Sequence, residues 1–161
     1  MLATGPPTAT PEPSRRLAPA ARRLWRLEGL FSALVALVAA GVLQAVAGGT
    51  LALLGWVAAV AVGVVVAVLV PELRWRRWRW EVRAHEIDIR RGTLTVTRTL
   101  VPMLRVQHVD TRRDLLQQRL GLATVVFHTA AGANEIPALT VAEADHVRDR
   151  IAELARTADE L

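Results

Sequence analysis

The chain has 161 residues, 52% hydrophobic and only 22% charged, which is more apolar side chain than one small core buries. Its formal net charge is +5 and every one of its 20 basic residues is arginine, so the positions of the cations carry the information rather than their identity. Cysteine is absent and serine occurs only at Ser14 and Ser32, which excludes disulfides, thiolate catalysis and Cys-ligated zinc or iron–sulfur centres.

Residues 1–26 read as a disordered tail: Pro6, Pro7, Pro11 and Pro13 come first, then Arg15, Arg16, Arg22, Arg23 and Arg26, a composition that buries too little apolar surface to offset ordering. Residues 27–71 read as a two-helix transmembrane hairpin. Residues 30–47 contain only Ser32 and Gln44 as polar members and residues 51–70 contain none. At about 1.5 Å per residue each run matches a hydrocarbon core of about 30 Å. Two helices apolar on every side also have no room inside a chain of this size. The short Gly48-Gly49-Thr50 link makes the hairpin antiparallel, and arginines flank both ends of it while the link is uncharged, which predicts cytoplasmic N- and C-termini. Ala45-Val46-Ala47 has the form of a signal-peptide cleavage site, yet the second run would still deliver the C-terminal part of the chain to the cytoplasm. Gly55, Ala59, Gly63 and Ala67 recur every fourth residue, and Ala36, Ala40 and Gly48 have related spacing with Gln44 in the remaining slot, so small-residue stripes are expected to pack the two helices together. Neither run holds an ionisable residue, which argues against a transport or proton path.

Pro71 is expected to end the second span. Arg74, Trp75, Arg76, Arg77, Trp78, Arg79 and Trp80 come next, an alternation of cations and amphipathic rings suited to the headgroup layer and therefore the expected membrane-interface site. Arginine with aromatic residues also fits nucleic acid, but a stretch abutting a membrane span does not favour that partner. From about residue 77 the period becomes two, with Trp78, Trp80 and Val82 on one face. Residues 86–90 with Ile87 and Ile89 inward, a turn at Arg91-Gly92, and residues 93–100 with Leu94 and Val96 inward make a hairpin. Residues 104–113 form a further strand, residues 114–120 one or two helical turns stopped by Gly121, residues 123–129 a strand, and residues 134–137 a short edge strand ending at Pro137. Thr140 and Glu143 form a capping box that opens a helix to about residue 156, with Val147, Ile151 and Leu154 on its apolar stripe. Six short strands closed by one helix imply a small, bent antiparallel sheet plugged by that helix, in a domain spanning residues 72–161.

Val101-Pro102, the run Arg105-Val106-Gln107-His108-Val109, residues 115–129 and the closing helix after Ile136-Pro137 occur in the order found in a known family. This part of the chain, about residues 74–155, resembles the bacterial pleckstrin-homology (PH-like) domain of membrane-flanked, YdbS-like proteins, and the two preceding spans fit that layout. The resemblance implies a seven-stranded split antiparallel barrel capped by a C-terminal helix and held at the cytoplasmic face of the bacterial cell membrane. One strand is then missing from the six legible ones, with residues 100–113 as its expected place. The family pattern supplies no catalytic residues. Arg77, Arg79 and Arg83 loosely echo the basic pattern of phosphoinositide-binding PH domains, whose lysine is absent here.

Catalysis has little to stand on. His85-Glu86 begins like a zinc-protease motif but Ile89 occupies the second histidine position, and any dyad of His108 with Asp110, or of His128, would need a threonine nucleophile. No cofactor or metal is implied. The leading expectation is a non-enzymatic membrane-anchored module binding a protein partner or itself, with a related two-span protein as the first candidate and with Arg105 and Gln107, sharing one strand face, as recognition residues. The alternative is sensing of anionic lipid by the Arg/Trp belt. Residues 74–91 carry net +4 and residues 135–161 net −4, so the domain is polarised with its basic end toward the membrane.

Overall fold

The computed structural model describes residues 11–159. Helix α1 (Ala21–Ala47) and helix α2 (Gly49–Val64) run antiparallel about Gly48, whose φ of 59° and the 84° of Gly49 are left-handed values that favour glycine. Both helices are long and apolar enough to cross a membrane, and most of their side chains face outward instead of into a core, Phe31 and Val46 among them.

The second span does not end at Pro71. A π-turn (Val65–Leu69) follows α2, and helix α3 (Val70–Arg77) continues the rod. In the turn Val70 N–H donates to Val65 C=O, five residues back, so the ladder restarts with Pro71 in the first turn of α3, where a missing N–H removes no bond.

The small-residue stripe packs only over half its length. Gly63 and Ala67 are buried, and a Cβ at Gly63 would lie 3.0 Å from the Ala33 Cβ. Gly55 faces open space and Ala59 is half-buried. On α1 the packed row is Gly29, Ala33, Leu37, Ala40 and Gln44, while Ala36 is exposed. The Trp56 ring against Gly41 fills the space between the helices that a smaller side chain would have let close. Gln44, in the slot between Ala40 and Gly48, has its Oε1 buried with no partner among the described residues.

Two three-stranded antiparallel sheets come after the hairpin. One is β1 (Arg79–Val82), β2 (Glu86–Arg91) and β3 (Thr97–Pro102); the other is β4 (Val106–Arg112), β5 (Leu122–Thr129) and β6 (Gly132–Thr140), each in sequential order. Helix α4 (Leu115–Leu120) is capped by Asp114, whose carboxylate accepts from Gln117 N–H at 2.7 Å, and stopped by left-handed Gly121. Helix α5 (Val141–Asp159) starts with Glu143 N–H donating to Thr140 Oγ1 and lays Ala144, Val147 and Ile151 on the core. Two three-stranded antiparallel sheets with a closing helix are consistent with the split barrel that the resemblance implied.

Several expectations are corrected. Pro137 does not end β6; the pairing jumps from Ala123↔Leu139 to Val125↔Ile136, and this bulge absorbs Pro137 together with Ala138 at φ 52°. Leu94 and Val96 are not inward strand residues but lie in the loop between β2 and β3, with Leu94 95% exposed. Residues 104–113 open with a 3₁₀ turn (Met103–Arg105) before β4.

The largest correction is the N-terminal tail. Pro6 and Pro7 lie outside the described residues, but residues 11–26 are part of the domain. Leu17, Ala18, Ala21, Leu24 and Trp25 are buried in one cluster with Trp78, Trp80, Ile87, Phe127 and Ile151. Arg15 and Trp80 exchange backbone hydrogen bonds of 3.2 and 3.0 Å, so this arm makes one isolated β-bridge to the free edge of β1, and the described residues hold six strands rather than the seven the resemblance implied, with no extra one within residues 100–113. The buried residues fall at i, i+1, i+4, i+7 and i+8, a helical stripe that the surrounding prolines and arginines outweighed in composition.

Candidate functional site

The expected interface belt divides by burial. Trp78 and Trp80 are core residues, Trp80 only 1% exposed, because β1 turns that face of the alternation onto the domain instead of toward lipid. Trp75 is half-buried and its Nε1 donates to the carbonyls of Leu17 and Ala18 at 3.2 and 3.1 Å, fastening the N-terminal arm. The cations stack on the rings: Arg22 lies 4.3 Å over Trp75, Arg74 4.2 Å over Trp25 and Arg15 5.4 Å over Trp80. Glu72 pairs with Arg76 at 2.8 Å and with Arg22 and Arg26 at 3.6 Å, so the bases of both helices are tied together. The belt is therefore first a clasp joining arm, hairpin and domain.

What remains outward is cationic. Arg76, Arg77, Arg79 and Arg90 line an open cleft of about 520 Å³ that has Glu12 on its rim, 2.5 Å from Arg90. Burial pushes the Arg79 guanidinium below its ordinary value, and the charges of Arg16 and Arg90 push the same way. Nearby, Asp88 is fully buried although alternation placed it on the solvent face; Arg98 meets it at 2.7 and 3.1 Å and Arg83 at 3.5 Å. That carboxylate holds the Arg98 guanidinium above its usual value through the hydrogen bond.

Between the two sheets, Arg105 closes the 3₁₀ turn, and on β4 of the second sheet Gln107 sits at the bulge where the β4–β5 register shifts. The bulge breaks the alternation, so the pair does not share one regular strand face. Both are exposed, and neither side chain has a hydrogen-bond partner among the described residues. Gln107 borders a shallow cleft of about 270 Å³ between β4 and α5 that ends at Ala152 and Arg156. β4 is an edge strand, with its outer backbone groups unpaired by any other strand among the described residues.

The histidines gather in part. His108 Nε2 lies 2.9 Å from Asp110 and His128 Nε2 lies 3.8 Å from the other oxygen of the same carboxylate. The sequence offers a dyad of His108 with Asp110, or of His128, by folding, and the three meet because His108 and His128 are register partners across β4 and β5. Thr111 follows Asp110 on the opposite face of β4, so the arrangement lacks a nucleophile, and no metal-holding group of three such side chains occurs among the described residues.

The sequence profile of the bacterial PH domain matches residues 29–155. The chain is 41% identical over 154 residues to the UPF0699 transmembrane protein YdbS of Bacillus subtilis (strain 168), covering 92% of this chain and 97% of that one. It is also similar to the UPF0699 transmembrane protein YdbT of the same organism, 27% identical over 99 residues, which is 58% of this chain but 20% of that relative. No solved structure matches the chain.

Proposed function

The chain belongs to the bacterial PH domain family, in a membrane protein of the YdbS-like kind, and from that premise we propose that it is a non-enzymatic module that captures a protein partner, or a second copy of itself, beside the cytoplasmic face of the membrane. The observation that carries this reading is the edge of β4: Arg105 and Gln107 are exposed and unengaged, next to Leu104 at 67% exposure. Polar side chains that structural duty would have tied to neighbouring loops are instead presented outward, on an edge strand able to accept another chain. Residues 72–161 contain neither serine nor cysteine, and the Asp110 cluster offers no nucleophile, in keeping with binding in place of chemistry. The arginines at both hairpin ends support the cytoplasmic side of this reading.

The test is mild solubilisation of the tagged full-length protein from its own membranes, followed by mass spectrometry, for wild type and for Arg105→Ala with Gln107→Ala. A stoichiometric protein, or a crosslinked copy of the chain itself, is expected with wild type and lost with the double variant. Unchanged capture by a folded double variant refutes the assignment of these residues.

The cleft of Arg76, Arg77, Arg79 and Arg90 favours a second reading, binding of anionic lipid. Since a basic residue near a charged leaflet is worth about 1 kcal/mol, Arg76→Ala and Arg90→Ala are each expected to lower co-purified phosphatidylglycerol about fivefold. Retention independent of salt and of both variants removes the electrostatic version.

A further inference from the structure

Outside the spans, two leucines at loop or helix tips stand almost wholly in solvent: Leu94 at 95% exposure, in the loop between β2 and β3, and Leu115 at 81%, in the first turn of α4. A single exposed leucine needs no explanation, but both of these are carried to the level at which the spans leave the domain. Arg77, the last residue of α3, donates to the carbonyl of Thr93, and the loop residues Gly92 and Thr93 share a cleft with Val70 and Arg74 of the second span's base. On the other side α4 packs against α1, and Asp114, next to Leu115, is near enough to Glu28 for their charges to interact. Glu28 stands two residues before the apolar run of the first span, and Val70 is the last residue of the apolar run of the second.

Both tips are held rigidly. Gly92 has φ 130°, and a Cβ there would lie 1.8 Å from the Thr95 carbonyl oxygen, so the loop closes tightly beneath Leu94. Leu115 follows directly on the Asp114 cap of α4. Exposed arginines accompany each tip, Arg91 before Leu94 and Arg113 before Leu115, the pairing of apolar side chain and cation that suits the boundary between headgroups and acyl chains. The next most exposed leucine of the domain, Leu104 at 67%, lies at the opposite end: β2–β3 pairing sets Arg91 against Thr97 at the loop and Glu86 against Pro102 at the far end, two residues before Leu104.

We propose that Leu94 and Leu115 insert into the headgroup–acyl boundary of the same bilayer that the hairpin spans, so that the domain is docked on the membrane at two points flanking the hairpin. Continuity with the span bases identifies the occupant as lipid. The docking also holds the Leu104–Gln107 end away from the bilayer, whatever that end captures.

The absence of native cysteine makes the test direct. Full-length Leu94→Cys, Leu115→Cys and Leu104→Cys, with Leu69→Cys as the span control, are labelled with an environment-sensitive fluorophore and reconstituted in phosphatidylethanolamine–phosphatidylglycerol vesicles containing a shallow nitroxide lipid. Because interfacial apolar groups sit about 5–10 Å into this boundary, the probes at 94 and 115 are expected to lose about half their emission and the probe at 104 almost none. Water-like emission without quenching at 94 and 115, while 69 is quenched, overturns the proposal. Quenching at one tip alone overturns two-point docking, and a probe shielded from water yet unquenched by lipid overturns it in favour of a protein cover.

Discussion

Gly29 is where the two spans come closest at their base. A Cβ placed there would lie 2.8 Å from the Val66 carbonyl oxygen and 2.9 Å from the Ala67 Cα, both backbone atoms with no rotamer to retreat into. Gly29→Ala therefore forces the helices apart by about half an ångström, a gap that already forfeits a quarter or more of the dispersion attraction across the contact. Overpacking of this kind costs about 1–3 kcal/mol, against a helix-propensity gain of about 1 kcal/mol for replacing glycine by alanine. Gly55→Ala supplies the control, since a Cβ there meets nothing within 4 Å and only the propensity gain remains. Gly63→Ala falls between, its contact being the Ala33 methyl at 3.0 Å. Subtracting the Gly55 variant cancels propensity and leaves the clash alone. Unfolding in mixed micelles, followed by tryptophan fluorescence, is expected to rank stability as Gly55→Ala, then Gly63→Ala, then Gly29→Ala, with about 1–3 kcal/mol between the extremes. Extremes that agree within about 0.5 kcal/mol refute close backbone packing at the hairpin base.

Leu17→Ala removes a fully buried side chain and is expected to cost about 2–5 kcal/mol in the same denaturation assay; a cost near zero means the arm is not part of the core. Trp75→Phe deletes the donor to Leu17 and Ala18, which loosens the arm by about 1 kcal/mol and speeds tryptic cleavage after Arg15 and Arg16; an unchanged cleavage rate contradicts the clasp. Gly92→Ala is expected to destabilise the domain by about 1–3 kcal/mol, read as a lowered unfolding midpoint, because its positive φ and the Thr95 carbonyl leave no place for a methyl. Asp88→Ala leaves Arg83 and Arg98 without their buried acceptor and lowers the thermal midpoint, whereas Asp149→Ala on the exposed face of α5 leaves it unchanged; equal midpoints count against the Asp88 ion pair as a structural element.

The two spans, the order of the strands and the closing helix were legible in the chain itself, because each depends on local pattern: uninterrupted apolar runs, period-two alternation between turn residues, and the Thr140–Glu143 cap. Patterns of that kind report which side of an element is apolar but not what lies against it. Asp88 alternates onto a face that only the folded arm, with Arg83 and Arg98, converts into interior. Trp78 and Trp80 look the same whether their apolar rings enter lipid or a core, and the strand direction of β1 decided for the core. Residues 11–26 read as tail because proline and arginine dominate their composition, while their burial depends on β1, some 60 residues away, offering an unpaired edge at Trp80. Pro71 stops a helix by local rules, and a π-turn in the preceding residues overrode it. The recognition candidates Arg105 and Gln107 were found by sequence, but their freedom was not, since a side chain's availability depends on what every other element leaves unbonded. Hydrophobic periodicity is written along one chain segment, whereas burial, pairing and exposure are properties of two segments at once, and for those the tertiary structure alone was decisive.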